Sequence, residues 1–167
     1  ATAVIGENAV RIVGQTEELV DDPAYGLTGN LSELNPTQAY KIQVSAATRH
    51  TLNGYEYNPA TPFEVKTGWN WIGYPVSQTL SVAEAFASSI PDEEDYIVGQ
   101  AGFAQYADGQ WTGTLQTLVP GSGYLYFSKS DKQLAYNSAI VSRAQALHAP
   151  GPPTPAPWAV NRYRYPN

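Results

Sequence analysis

The chain has 167 residues and carries a formal net charge of −6. Binding to phosphates needs a basic surface, so this charge balance argues against a nucleic-acid partner, and no stretch is apolar over the length that a membrane span requires. The absence of cysteine excludes disulfides, thiolate catalysis and cysteine-ligated zinc within these residues. Twelve tyrosines, fourteen glycines and thirteen prolines are typical of a turn-rich β protein.

Part of the chain occurs twice at a nearly fixed spacing. The matched segments are residues 12–15 with 97–100 (Ile-Val-Gly-Gln), residues 29–36 with 113–120 (Gly-x-Leu-x-x-Leu-x-Pro), and Tyr40 with Tyr124. Such a self-match indicates tandem modules, and it predicts a first copy over residues 1–66 and a second copy over 67–137. Because tyrosine is kept at the last matched position, we expect its hydroxyl to have a fixed partner in both copies.

The first copy contains two predicted strands before its final turn. Residues 9–14 are rich in β-branched side chains. In residues 38–45, Tyr40, Ile42 and Val44 alternate with polar residues, which is the period of a half-buried strand. The remaining signals in this copy are an Asn-Gly turn at 53–54 and a short strand at 63–65.

A strand at 69–74 opens the second copy, and Pro75 ends it because proline has no N–H to donate. The two-residue period places Trp69 and Trp71 on one face of this strand. The residues on the other face are Asn70, Ile72 and Tyr74.

One helix is predicted after this strand. Residues 81–84 (Ser-Val-Ala-Glu) form a capping-box pattern, in which the serine hydroxyl and the glutamate carboxylate satisfy free backbone N–H groups. Val82, Phe86 and Ile90 then fall on one stripe, and Pro91 ends the run.

The rest of the second copy predicts antiparallel strands joined by tight turns. Asp-Gly at 108–109 is a strong hairpin signal, and Gly-Ser-Gly at 121–123 suits a turn that needs a positive φ. The predicted strands are 96–99, 103–106, 110–112, 124–127 and 133–136. The predicted fold class is mainly β (α+β): two tandem repeats of antiparallel strands, with one short helix covering a sheet face in the second, complete copy.

A linker and a further domain are predicted after the second copy. Residues 138–157 end in a polyproline-type stretch, which is stiff, and residues 158–167 resemble the opening strand of another domain. The first copy has no counterpart of the Trp strand and helix, and the chain lacks methionine and a signal peptide. We therefore expect a piece of a longer precursor, with the first copy truncated at its N-terminal side.

No residue pattern predicts catalysis. His50 and His148 have no ligand or nucleophile spacing and are expected to be exposed polar residues. The carboxylates at 21–22 and 92–95 are adjacent along the chain, whereas glycoside hydrolysis needs two that face each other across a cleft. The run at 92–95 also lacks the alternating ligand order of a calcium loop, so it is expected to be a solvated loop. We expect no enzyme activity, no metal and no cofactor.

Aromatic residues are the remaining candidates for function. Two of them are replaced in the first copy by aliphatic residues, which keeps apolar bulk but loses ring stacking, so both are predicted to be core residues. The exchanges are Trp111 to Leu27 and Tyr126 to Ile42. Trp69 and Trp71 have no counterpart to test them. They are the candidate ligand-binding pair, through stacking on sugars or contact with a protein.

Three motifs around the predicted helix carry a resemblance to a known family. They are residues 68–75 (Gly-Trp-Asn-Trp-Ile-Gly-Tyr-Pro), 95–100 (Asp-Tyr-Ile-Val-Gly-Gln) and 120–124 (Pro-Gly-Ser-Gly-Tyr). Together they resemble the Gly-Trp-Asn-Trp modules found in tandem in large secreted or surface proteins of gut and oral Bacteroidetes. The resemblance covers residues 68–136 and, in truncated form, 9–66. It implies a non-catalytic, exported module and supplies no agreed ligand.

The sequence therefore favours a non-catalytic repeat module of a bacterial surface or secreted protein, with a scaffold or adhesion role. Two alternatives stay open: a carbohydrate-binding module that uses exposed aromatic residues, and an accessory domain of a larger secreted hydrolase. The expected partners are other domains of the same precursor and a glycan or a host or surface protein. The expected location is extracellular or at the cell surface.

Overall fold

The computed structural model describes residues 8–47 and 57–137. Within these ranges the chain folds mainly into antiparallel strands, with one short helix. In chain order the elements are β1 (Ala9–Val13), β2 (Glu18–Asp22), β3 (Gly26–Gly29), β4 (Lys41–Val44), β5 (Phe63–Val65), β6 (Gly68–Gly73), β7 (Leu80–Ser81), α1 (Val82–Ala85), β8 (Tyr96–Gly99), β9 (Gly102–Ala107), β10 (Gln110–Gly113), β11 (Thr117–Leu118), β12 (Gly123–Ser128) and β13 (Lys132–Leu134).

Five strands of the second copy form one antiparallel sheet in the order β10-β9-β8-β12-β6. The hairpin between β9 and β10 turns at Asp108 and Gly109, whose φ angles of 52° and 76° are those that the Asp-Gly signal predicted. Two short ladders, β11 with β7 and β13 with β5, lie outside this sheet. The mainly β fold class is confirmed.

The first copy forms a four-stranded antiparallel sheet in the order β3-β2-β1-β4. This order matches β10-β9-β8-β12, and residues matched by sequence occupy matched places. Ile12 lies opposite Ile42, just as Ile97 lies opposite Tyr126. Among the described residues, no strand of the first copy takes the place that β6 occupies beside β12.

The prediction for residues 38–45 is only partly right. The regular strand begins at Lys41, because Gln38 forms a bridge with Ile72 of β6 before β4 starts. Ile42 and Val44 are 47% and 43% exposed, so they are not the half-buried face that the alternation predicted. The alternation indicates a strand, but it cannot show whether a second layer covers the apolar side of that strand.

The capping box at the start of α1 is confirmed, but the helix is shorter than predicted. The Ser81 hydroxyl accepts a hydrogen bond from the Glu84 N–H, and the Glu84 carboxylate accepts one from the Ser81 N–H. Regular helix stops at Ala85, and Ile90 is 86% exposed, so it does not share the buried stripe. Beyond the helix, the Ser89 hydroxyl donates to the Ala135 carbonyl at 2.9 Å and accepts from the Ala135 N–H at 2.8 Å, which ties this segment to the chain after β13.

Aromatic rings form the core between α1 and the second sheet. The Phe86 ring lies 5.9, 5.7 and 5.6 Å from the rings of Trp111, Tyr126 and Tyr136. Tyr126 is fully buried, which confirms it as a core residue, and Trp111 is half-buried against Phe86. Tyr74 packs against Tyr136 at 5.1 Å, and burial raises the pKa of Tyr74 to about 12.

The two matched tyrosines have matched hydrogen bonds. The Tyr40 hydroxyl accepts from the Asn35 N–H at 2.9 Å, and the Tyr124 hydroxyl accepts from the Val119 N–H at 2.8 Å. The prediction that each hydroxyl has a fixed partner is therefore confirmed. In both copies this bond ties the start of a strand to the loop five residues before it.

The acidic run at 92–95 is not the solvated loop that we predicted. Asp95 is fully buried, accepts a hydrogen bond from the Tyr126 hydroxyl at 2.6 Å and forms an ion pair with Lys132. Lys132 also lies 2.9 Å from Asp92. The pKa of Tyr126 is raised far above its ordinary value, mainly because the hydroxyl is buried and also because it is hydrogen-bonded to Asp95. The basic partner lies in β13, far along the chain, so the local acidic pattern could not reveal it.

Asp92 and Glu94 of this run also pair with lysines, and both are more exposed than Asp95. Glu94 lies 2.6 Å from Lys129, and this contact lowers the pKa of Glu94 and raises that of Lys129. The pKa of Asp92 is lowered, mainly by a hydrogen bond from the Ser130 hydroxyl and also by a hydrogen bond from Lys132. Two lysines that follow β12 thus pair with three of the four carboxylates of the run.

Several sequence predictions concern residues outside the described ranges. They are His50, His148, the turn at 53–54, the linker at 138–157 and the further domain at 158–167. The boundaries between the copies and these segments stay predictions. In the part of the chain that the structure describes, no helix combines the length and apolarity needed to cross a bilayer.

Candidate binding surface

Strand β6 places Trp69 and Trp71 on the side of the second sheet that faces away from α1. The strand register extends this surface across the sheet in two rows. In the first row, Phe127 lies between Trp69 and Tyr96. The second row runs across four strands, from Trp71 through Leu125 and Val98 to Phe103. We name this surface the aromatic face and define it as Trp69, Trp71, Tyr96, Phe103, Leu125 and Phe127.

The rings of the aromatic face hold one another in place. Trp69 meets Phe127 and Tyr96 edge to face, with centroids 5.3 and 6.4 Å apart. Tyr96 stacks on Phe103 at 5.2 Å with 14° between the ring planes. Such pairs favour fixed orientations, and the rings project from strands rather than from loops. The surface is therefore ordered before any partner arrives.

Three members of the aromatic face are open to solvent. Trp69 is 49% exposed, Phe103 41% and Leu125 37%. Large apolar side chains that lie together and stay exposed mark interaction surfaces, whereas scattered ones do not. The cross-strand register puts these three residues on one side of one sheet, so they form a cluster of the kind that marks an interaction surface.

The residues of the first sheet that match four members of the aromatic face are charged or polar. Arg11 and Glu18 form an exposed ion pair there. A fold that needed aromatic residues on this side for stability would need them in both sheets. The aromatic face is therefore a property of the second copy. The exchanges are Tyr96 to Arg11, Phe103 to Glu18, Leu125 to Lys41 and Phe127 to Gln43.

Trp71 lies at the border with the first copy and is less open than Trp69. The Lys41 ammonium lies 4.6 Å from the centre of the Trp71 ring, which is a cation–π contact. The backbone N–H of Trp71 donates to the Gln15 side-chain oxygen at 2.7 Å. The backbone carbonyl of Trp71 accepts from the Ala39 N–H at 3.2 Å. The two predicted site residues thus share one face, and Trp69 is the more accessible of the pair.

The same border covers the outer edge of β6. The Gly73 N–H donates to the Thr37 carbonyl at 2.8 Å, and the Gln15 amide donates to the Trp69 carbonyl at 2.9 Å. A Cβ atom on Gly73 would lie 2.6 Å from the backbone oxygens of Pro36 and Gln38, so this approach requires glycine. A cleft of about 480 Å³ lies beside these contacts, and Trp71 forms part of its wall.

Asn70 fixes the start of the strand that carries Trp69. Its side chain points to the opposite face and is 8% exposed. The amide donates to the carbonyls of Lys66 at 2.7 Å and Gly68 at 2.9 Å, and its oxygen accepts from the Lys66 N–H at 2.9 Å. Gly68 has a φ of 99°, which favours glycine at this turn. The asparagine of the Gly-Trp-Asn-Trp motif therefore has a structural role.

We expect Asn70→Ala to lower the free energy of unfolding by about 1–3 kcal/mol, because three backbone groups lose a nearly buried partner. Urea denaturation followed by circular dichroism measures this loss. Asn58→Ala is the matched control, since Asn58 is exposed and its side chain accepts from the Ala60 N–H in a loop. That variant should change the stability by less than about 0.5 kcal/mol. Equal losses in the two variants would contradict the role given to Asn70.

Sequence reasoning found the two indoles and missed the four side chains beside them. Residues 124–127 carried the signal, because Tyr124 and Tyr126 alternate with Leu125 and Phe127. Once the repeat marks Tyr126 as core, the two-residue period places Leu125 and Phe127 on the solvent side. Tyr96 and Phe103 follow only from the register of β8 and β9, which the sequence alone does not specify.

Within residues 8–47 and 57–137, no group of three or more histidine, aspartate or glutamate side chains is arranged to hold a metal ion. The aromatic face, with its three exposed apolar side chains, is the surface from which we propose a function. No protein-family model, curated protein or solved structure matches the chain.

Proposed function

We propose that the chain is a non-catalytic module pair of a bacterial surface or secreted protein and that it serves adhesion through the aromatic face. One observation carries this proposal: large apolar side chains are exposed together on the second sheet, where the first sheet carries charges. Aromatic residues are enriched at the centres of protein interfaces, where they supply much of the binding energy. The first copy then acts as a scaffold that covers the edge of β6.

The resemblance to Gly-Trp-Asn-Trp modules supports the proposed location at the cell surface or outside the cell. It also supports the proposed partners, which are other domains of the same precursor and a molecule on a host or cell surface. An accessory role beside a secreted hydrolase would use the same aromatic face. That role differs from adhesion alone only in the activity of the rest of the precursor, which would then include a hydrolase.

Carbohydrate binding is the second candidate, and the accessible indole of Trp69 favours it. Aromatic rings on a sheet face can stack on the apolar faces of sugar rings, and Trp69 offers one at the sheet edge. A polar side chain that could orient a hydroxyl is also present, because Gln105 lies opposite Tyr96 on the same face. The two candidates share one surface and differ in the partner.

A mucin layer distinguishes the two candidates, since it presents both protein and glycans. Binding of the chain is measured on native mucin and on mucin treated with periodate, which destroys vicinal diols in the sugars. Protein adhesion predicts binding that survives periodate. Carbohydrate recognition predicts binding that periodate removes and that reappears on a glycan array.

Trp69→Ala should weaken either kind of binding by about 30-fold, the effect of losing one large aromatic residue from an interface. Tyr25→Ala is the matched control, because Tyr25 is 83% exposed but lies in a turn of the first copy. It should leave binding unchanged. Equal binding by both variants would overturn the role of the aromatic face, and no binding to either layer would overturn the adhesion role.

A further inference from the structure

The first sheet exposes apolar side chains on the side that should form its core. Ile42 lies opposite Ile12, and Val44 lies opposite Ala9, and both of these partners are buried. Ile42 and Val44 nevertheless are 47% and 43% exposed. Leu27, on the same side of β3, is 40% exposed. We name Leu27, Ile42 and Val44 the open face.

The second copy shows what covers this position. The residues that match the open face by sequence are Trp111, Tyr126 and Ser128. Tyr126 and Ser128 are fully buried, and Phe86, at the end of α1, contacts both Trp111 and Tyr126. Strand β6 pairs with β12 along its full length, and the chain then passes through β7 into α1. One strand-and-helix segment, residues 68–86, thus covers both the edge and the face of this sheet.

The described part of the first copy supplies neither element. Its backbone and amide hydrogen bonds to β6 involve Gln15, Thr37, Gln38 and Ala39, which precede β4, and the Lys41 side chain at the start of β4 contacts the Trp71 ring. From Lys41 to Val44, no described strand pairs with the edge of β4 that faces away from β1. An edge of this kind offers free N–H and C=O groups, and here it adjoins an apolar face.

We propose that the open face binds one kind of occupant, a strand-and-helix polypeptide segment of the type that residues 68–86 form in the second copy. The strand pairs with β4, and the helix places large apolar side chains on Leu27, Ile42 and Val44. This mode of binding combines the addition of a strand to a sheet edge with the packing of an amphipathic helix on the apolar face beside it.

A synthetic peptide with the sequence of residues 67–91 tests this proposal. The peptide carries a fluorescent label and is titrated with the full chain, and fluorescence anisotropy reports binding. We expect saturable one-to-one binding. A peptide of the same composition in scrambled order should not bind.

Two variants of the chain locate the binding site. Ile42→Glu should weaken the binding by at least about tenfold, because it would bury a charge under the helix. Gln43→Glu adds the same charge on the other side of β4 and should leave binding unchanged. Both residues are exposed, so both variants should keep the fold, which circular dichroism checks.

Three outcomes would overturn the proposal. The first is no binding of the peptide to the chain. The second is binding that Ile42→Glu leaves intact, since the peptide would then have replaced β6 in the second copy. The third is concentration-dependent self-association in sedimentation velocity that Ile42→Glu abolishes, because a second copy of the chain would then cover the open face.

Discussion

Replacing Asp95 with asparagine is expected to lower the free energy of unfolding by about 3–5 kcal/mol, the usual cost of breaking a buried ion pair. Asp95 is fully buried, and Lys132 retains only 12% of its side-chain exposure. The carboxylate also accepts from the Tyr126 hydroxyl and from the Lys129 N–H at 2.9 Å. The amide of asparagine cannot accept all of these bonds, so at least one buried donor loses its partner.

Glu94→Gln is the matched control for this prediction, because it removes the same charge from the neighbouring residue. The Glu94 side chain is 66% exposed, and its ion pair with Lys129 lies at the surface. Exposed pairs contribute little to stability, so Glu94→Gln should unfold at nearly the wild-type urea concentration. Urea unfolding of the two variants at neutral pH makes the comparison. Similar losses in both would mean that net charge, rather than the buried network, controls stability.

Several local patterns predicted the structure correctly because a few neighbouring residues determine it there. The capping box at Ser81 and the hairpin at Asp108 depend on bonds that span a few residues, and both are present. The side on which Trp69 and Trp71 lie follows from the two-residue period of a strand. In each case the deciding interaction is local.

Predictions failed where distant residues decide the outcome. The burial of Asp95 depends on Lys132, 37 positions away. The exposure of Ile42 depends on whether a second layer covers β4, which no alternation pattern can show. The aromatic face combines both cases. The two-residue period of β6 and β12 predicts which of their side chains point to this face, whereas Phe103 belongs to it only because of the register between β8 and β9.

Strand β6 links the stability of the second sheet to the surface proposed for binding. Its inner side contributes Asn70 and Ile72 to the buried side of the sheet, and its outer side carries Trp69 and Trp71. One edge pairs with β12, while the other contacts the first copy through Gln15. A change at this border would therefore alter the position of Trp71 without touching any core residue.

Phe86→Ala is expected to lower the free energy of unfolding by about 3–5 kcal/mol, as removal of a large buried ring does. The Phe86 ring is 2% exposed and contacts the rings of Trp111, Tyr126 and Tyr136, so its loss would leave a cavity between α1 and the sheet. Urea unfolding measures the loss. Near-ultraviolet circular dichroism should show a weaker aromatic signal, because Trp111 loses a neighbouring ring.

Ile90→Ala is the control that separates burial from sequence pattern. A regular helix over 81–90 would place Ile90 on the stripe of Phe86 and bury both. The structure leaves Ile90 86% exposed beyond the end of α1, so its truncation should cost less than about 0.5 kcal/mol. A loss in Ile90→Ala close to that in Phe86→Ala would mean that the helix continues to Pro91 and covers the sheet over its whole length.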